Sequence, residues 1–244
     1  MDIIRLYFIV ILLFPAVAAS KTIIPRVAVT ANFKNTFIKL NQLFKQQTGI
    51  SLTFSSSASG VLYTQILHGA PYDLFLSADQ QKPQQLFEQN KTKKMPMTYA
   101  QGQLALISCD RNKMNKINHH QDLVALLKNA PHVVIANPQH APYGIAAETV
   151  LQKFSINSKI VVAQNVNDAY RYIRSCIVDL GFVALSSIKQ DKYPVNYQLV
   201  PIEWYSPIIQ DMVLLTDNPY ALQFWHFMQS DSARKIILES GYLL

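Results

Sequence analysis

Cysteine is scarce in this chain. Cys109 and Cys176 are its only two among 244 residues, too few for a small domain knit together by disulfides. They are compatible with a single bridge in an oxidising compartment, or with two buried free thiols. Cys109 lies in the apolar run LALISC and Cys176 in the helix-like segment AYRYIRSCI. Long apolar runs are missing after the first twenty residues, and nothing there approaches the roughly 20 residues a membrane-spanning helix needs. Repeats and low-complexity tracts are absent too. Charged residues make up 15% of the chain, with a net charge of +7, yet the lysines are scattered. Their densest cluster, KTKK at 91–94, reads as a solvated loop. No element interleaves basic and aromatic side chains, which argues against a nucleic-acid surface. A mild positive field does concentrate small anions.

The N-terminus is the exception to this evenness. Arg5 precedes an apolar run from Leu6 to Phe14, and small residues follow at Ala16, Ala18 and Ala19. This is the pattern of a secretory signal peptide over residues 1–19, cleaved near Ala19. The apolar core is too short to span a bilayer, and no cysteine stands at the cleavage point to carry a lipid. The expected mature protein is therefore a soluble one in the periplasm. Its remaining length of about 225 residues suits one large domain or two lobes.

Beyond residue 20 the hydrophobic pattern alternates between strand and helix. RVAVTA reads as a strand. Phe33, Phe37, Leu40, Leu43 and Phe44 then recur at helical spacing until Gly49. ISLTFS, DLFLSA, GQLALISC, HVVIAN, KIVVAQ and GFVAL read as further strands, separated by helical segments. Such alternation predicts an α/β fold built on mainly parallel sheets flanked by helices. Two alternating blocks are present, and the final strand and helix, DMVLLTDN and PYALQFWHFMQSDSARKIILES, are expected to return to the first. The expected arrangement is a two-lobed clamshell with two hinge crossovers. Residues 20–102 plus 205–244 would form one lobe and 103–204 the other.

In parallel sheets, ligands sit beyond the carboxyl ends of the strands, where helix N-termini present unpaired N–H groups and a partial positive charge. Four strand-to-helix junctions are candidates. VTANF supplies Asn32 with Ala31 beside it, and SASGVL supplies Ser59 with Gly60. NPQHAPYGIAAE supplies Tyr143 before Gly144, and AQNVNDAY supplies Val166. None contains Lys or Arg. Carboxylate and phosphate-ester sites often use Arg for paired hydrogen bonds, and a protonated ligand needs an acceptor. A fully ionised inorganic oxyanion has only acceptors, so neutral donors suffice.

The segment SASGVLYTQI followed by HGAPYDLFLSADQQKPQQL resembles the periplasmic molybdate-binding proteins of ABC transporters, a type II solute-binding protein family. The residues that carry the resemblance are Ser59, Gly60, Leu62, Gln65, Ile66, Gly69, Ala70, Pro71, Asp73, Phe75, Ser77, Ala78 and Asp79. IANPQHAPYGIAAETVL, AQNVNDAY and LGFVALS are similar to later motifs of the family, so the likeness covers nearly the whole mature chain. The resemblance implies a clamshell that holds molybdate or tungstate by neutral hydrogen bonds and delivers it to a membrane permease. It implies a monomer without cofactor, in which no side chain ligates a metal directly because molybdenum arrives as its oxyanion. The implied ligand-binding residues are Ala31, Asn32, Ser59, Tyr143 and Val166. Some members add a tyrosine hydroxyl where this chain has Ala184, leaving Tyr143 to contact the anion by its backbone or its own hydroxyl. TAN also replaces the family's more usual Ala-Ser pair.

Two other readings compete with this one. A different tetrahedral anion, such as sulfate or thiosulfate, would need a donor ring of another size. An exported enzyme would use Cys109 as nucleophile with His119, His120 or His140 as base. That is the weaker reading, because Cys109 falls in an apolar strand and His119 and His120 in a polar loop.

Overall fold

A computed structural model describes residues 24–244; the expected signal peptide lies outside them. The first block opens with β1 (Arg26–Thr30), α1 (Lys34–Thr48), β2 (Thr53–Ser57), α2 (Ser59–Leu67), β3 (Leu74–Leu76), α3 (Gln81–Glu88) and β4 (Met97–Gly102). The second contains β5 (Leu104–Ser108), α4 (Arg111–Asn115), α5 (His120–Asn129), β6 (His132–Ala136), α6 (Pro142–Lys153), β7 (Lys159–Ala163), α7 (Val166–Arg174), β8 (Leu180–Ala184), α8 (Leu185–Lys189) and β9 (Tyr197–Leu199). The chain ends with β10 (Ile208–Leu214), α9 (Pro219–Phe227) and α10 (Asp231–Glu239).

The strands form two five-stranded sheets, ordered β2-β1-β3-β10-β4 and β7-β6-β8-β5-β9. In the first, β1 pairs parallel with β2 and β3, while β10 runs antiparallel to both β3 and β4. In the second, β6 pairs parallel with β7 and β8, while β5 runs antiparallel to both β8 and β9. Each sheet therefore has four strands pointing one way and a single reversed strand beside its edge. The reversed strand is in each case the one entered from the other lobe. This is the expected two-lobed α/β clamshell with two crossovers.

Both faces of both sheets are covered, and the sequence alternation decides which side chain goes where. In the first sheet Val27, Val29, Leu74, Leu76, Met212 and Leu214 pack with Phe37, Leu40, Phe44 and Phe224 from α1 and α9. Ala28, Phe75 and Val213 face the opposite way, onto Leu62, Ile66 and Leu86 of α2 and α3. The second sheet repeats the arrangement. Leu104, Leu106, Val133, Ile135, Leu180 and Phe182 pack against α5 and α6, and Ala105, Ile107, Val134 and Val183 against α7 and α8.

Three local features differ from the sequence reading. GQLALISC is not one strand: Gly102 ends β4 in the first sheet, and Leu104 begins β5 in the second. The apolar pattern runs through the junction, so hydrophobicity carries no sign of the change of sheet. The terminal helix is broken, with Ser230 capping α10 by accepting from the Ala233 N–H at 3.3 Å. The short α4 and β9 fall in segments with too few residues to show a period. Cys109 and Cys176 form a disulfide, which resolves the alternative that their sequence context left open.

Candidate functional site

Every residue expected to hold the ligand comes to one place. Ala31, Asn32, Ser59, Tyr143 and Val166 line a single small, nearly closed pocket, together with Thr30, Ala58, Ala78, Ala141, Pro142 and Asn165. No Lys, Arg, His, Asp or Glu is in that lining. The five candidates are each at most 6% exposed. The pocket lies beyond the carboxyl ends of β1, β2 and β3 on one side and of β6 and β7 on the other, so both lobes contribute to it.

Four helix beginnings converge on this space, and their local hydrogen bonds determine which donors are left. At α7, Asn165 occupies the cap position and its Oδ1 accepts from the N–H groups of Asn167 and Asp168 at 3.0 and 3.1 Å. The Val166 N–H, one residue earlier, has no acceptor within the helix. At α6, Pro142 has no N–H, and the N–H groups of Gly144 and Ile145 both bond to the Ala141 carbonyl. The Tyr143 N–H is the remaining donor of that turn. At α2, the Gly60 N–H bonds to the His140 carbonyl at 2.9 Å, while Ser59 begins the helix and has no intrahelical acceptor. The Ser59 Oγ accepts from the Ala78 N–H at 3.0 Å, which leaves its hydroxyl proton available. Before α1, a 3-10 turn over Ala31–Phe33 presents the N–H groups of Ala31 and Asn32 in the same unsatisfied position.

Asn32 contributes differently from what its residue type suggests. Its amide Nδ2 donates to Gln210 Oε1 at 2.9 Å and to the Tyr242 hydroxyl at 3.2 Å. Both amide protons are thereby used inside the protein, and the backbone N–H is what Asn32 has to offer a ligand. The Tyr143 hydroxyl is likewise engaged, accepting from Gln210 Nε2 at 3.5 Å. It points at Gly102, where an added Cβ would lie 2.1 Å from it. Gln210 is completely buried and also accepts from the Tyr99 hydroxyl at 3.1 Å. This buried network leaves the backbone of Tyr143 as its contribution to the pocket. Burial pushes the hydroxyls of Tyr99, Tyr143 and Tyr242 well up from the ordinary tyrosine value, and the neighbouring tyrosines add to the effect at Tyr99 and Tyr143. All three are neutral, so they place no negative charge beside the pocket.

Direct bonds between the lobes close the clamshell over this site. Asn167 Nδ2 donates to the Ala31 carbonyl at 2.5 Å, and Ser186 Oγ to the Asn32 carbonyl at 3.2 Å. Gln190 Nε2 donates to Thr36 Oγ1 at 2.8 Å. The Gly60–His140 bond belongs to the same set. Outside the pocket, an adjoining groove shares Ala31 and Asn165 with it and carries Lys34, Arg171, Asp168 and Asp191. These charged side chains stand in the groove and not in the pocket lining.

The enzymatic alternative finds no support in this geometry. Cys109 has no free thiol, and none of His119, His120 and His140 lines the pocket. His140 meets α2 through its backbone carbonyl. Among the described residues no cluster of His, Cys, Asp and Glu is arranged to hold a metal ion. The pocket residues that sequence reasoning missed are Thr30, Ala58, Ala78, Ala141, Pro142 and Asn165. Most are immediate neighbours of a candidate, and Ala78 lies just beyond β3, in the segment that carries the family resemblance.

Comparison with known proteins agrees with this arrangement. Residues 25–243 match the model of the family described as bacterial extracellular solute-binding protein. The molybdate-binding protein ModA of Rhodobacter capsulatus is 35% identical over 225 residues, covering 88% of this chain and 86% of the relative. ModA of Azotobacter vinelandii is 36% identical over 229 residues, with 89% and 88% covered. The solved structure of the Azotobacter vinelandii periplasmic molybdate-binding protein superposes with a TM-score of 0.82 at 35% identity, covering 90% of this chain and 99% of that one. The chain belongs to the bacterial extracellular solute-binding protein family.

Proposed function

We propose that this protein captures molybdate outside the cytoplasm, binds tungstate in the same way, and presents the loaded, closed form to the membrane permease of an ABC transporter. Residues 20–102 plus 205–244 and residues 103–204 move as two lobes about the crossovers. The anion is held by the backbone N–H groups of Ala31, Asn32, Tyr143 and Val166 and by the hydroxyl and N–H of Ser59. The protein acts as an exported monomer in the periplasm. The observation that carries this reading is an uncharged, buried pocket walled by helix N-termini from both lobes. Such a pocket suits a ligand that only accepts hydrogen bonds and brings its own double charge. Closure follows because the anion bonds to both lobes at once only in the closed state, which shifts the population toward it.

Calorimetric titration of the purified mature protein with molybdate, tungstate, sulfate and phosphate tests the proposal. Molybdate and tungstate are expected to bind one per chain and to raise the melting temperature, with sulfate and phosphate far weaker. Failure to bind molybdate or tungstate would end this reading, and preferential sulfate binding would replace it with another tetrahedral anion.

A further inference from the structure

Thr30 is the last residue of β1 and occupies the cap position of the turn that leads into α1. A threonine there ordinarily turns its oxygen back to accept from an N–H of the following turn. This one makes no such bond. Its side chain is 1% exposed, and its Oγ1 has no hydrogen-bond partner. The Tyr99 hydroxyl stands close enough for Thr30 to favour its ionisation, yet the two are not in hydrogen-bonding geometry, and Tyr99 has acceptors of its own, the Ser77 carbonyl at 2.8 Å and Gln210 Oε1 at 3.1 Å. A buried hydroxyl left without a bond costs about 1–3 kcal/mol, and such groups are rare enough to need a reason. Thr30 also lines the pocket.

We propose that the Thr30 hydroxyl is a direct ligand of the bound oxyanion, a second side-chain donor beside Ser59. This rests on the functional reading above and adds to it a residue that the family resemblance did not mark. The geometry gives the first lobe two hydroxyls, one at the last residue of β1 and one two residues beyond the end of β2, and the two strands pair in register with Thr30 opposite Ser57. Ala31, the next residue, has no donor in its side chain, so Thr30 is the hydroxyl that this junction can supply. A tetrahedral oxyanion provides the acceptor that Oγ1 lacks in the unloaded protein.

Three proteins decide the matter: the wild type, Thr30→Val and Thr30→Ser. Each is titrated with sodium molybdate and melted without ligand. Thr30→Val keeps the shape and removes the hydroxyl. It is expected to lower molybdate affinity roughly ten- to hundredfold while the unloaded melting temperature stays level or rises. Thr30→Ser, which keeps the donor, should bind within about tenfold of wild type. Wild-type affinity in Thr30→Val would overturn the proposal and leave the functional reading standing. So would a lower unloaded melting temperature in Thr30→Val, which would mark the hydroxyl as structural. If the wild type itself ignores molybdate, the functional reading falls and this proposal falls with it.

Discussion

At the scale of single residues, the pocket separates side chains that can meet a ligand from those that hold other groups in place. Ser59 is of the first kind. Its Oγ is already an acceptor for the Ala78 N–H, so its proton is the part that a ligand can take. Ser59→Ala is expected to weaken molybdate binding by about 1–3 kcal/mol, read as a rise in Kd by calorimetry. Asn32 is of the second kind, because both its amide protons are committed to Gln210 and Tyr242. Residue type alone pointed to Asn32, but the role of its amide depends on Gln210 and Tyr242, which are 178 and 210 positions away. No local pattern reveals partners so distant. The same tyrosine-rich network sets a pH limit. Tyr99, Tyr143 and Tyr242 have folded pKa values above the ordinary 10.0 because burial disfavours the phenolate. Their contribution to stability is therefore complete below pH 10 and is lost as the pH rises beyond it, when the unfolded chain releases protons that the folded one retains. Thermal melts should be level from about pH 7 to 9 on this account and fall above about pH 10.

At the scale of elements, the four helix beginnings were legible because each has a capping, small or proline residue directly after an apolar run. What could not be read was how tightly each beginning is seated. Gly144 shows the difference. A Cβ there would lie 2.3 Å from the Ala136 carbonyl oxygen and 2.8 Å from the Pro138 nitrogen, and backbone atoms cannot rotate aside. α6 therefore sits against the end of β6 at a distance that only glycine permits. Gly144→Ala is expected to cost about 1–3 kcal/mol of folding stability through overpacking, measured by denaturant unfolding. It should also weaken molybdate binding, since the displaced turn carries the Tyr143 N–H. The division between β4 and β5 was hidden for a related reason. Apolar content reports burial, and both strands are buried, so it cannot tell which sheet does the burying.

At the scale of the whole molecule, the two-lobed plan was legible from the alternation of strands and helices together with a last strand left over for the first sheet. The fate of the cysteines was not, because a bridge needs two distant segments to meet. The Cys109–Cys176 bond spans 67 residues and lies beside the core between the second sheet and α7. Closing a span of that length stabilises a chain by about 4 kcal/mol in the chain-entropy model. The double variant Cys109→Ala with Cys176→Ala should lose stability of that order in denaturant titrations. Its molybdate affinity should stay within about threefold of wild type, because Ala58, Ala141, Tyr143 and Val166 belong to the core on the other face of the second sheet.

The placement of β10 bears on how the chain acquires its shape during synthesis. The second sheet is contiguous in sequence, from Leu104 to Leu199, whereas the first keeps an opening between β3 and β4 that β10 must fill. Chains made from the N-terminus usually complete their earlier parts first. Here the segment made first has to wait. Until Leu214 has emerged, β4 has no neighbouring strand to bond, and the pocket lacks Gln210 behind it. The first sheet therefore cannot be completed until the segment that follows the whole second sheet has been made.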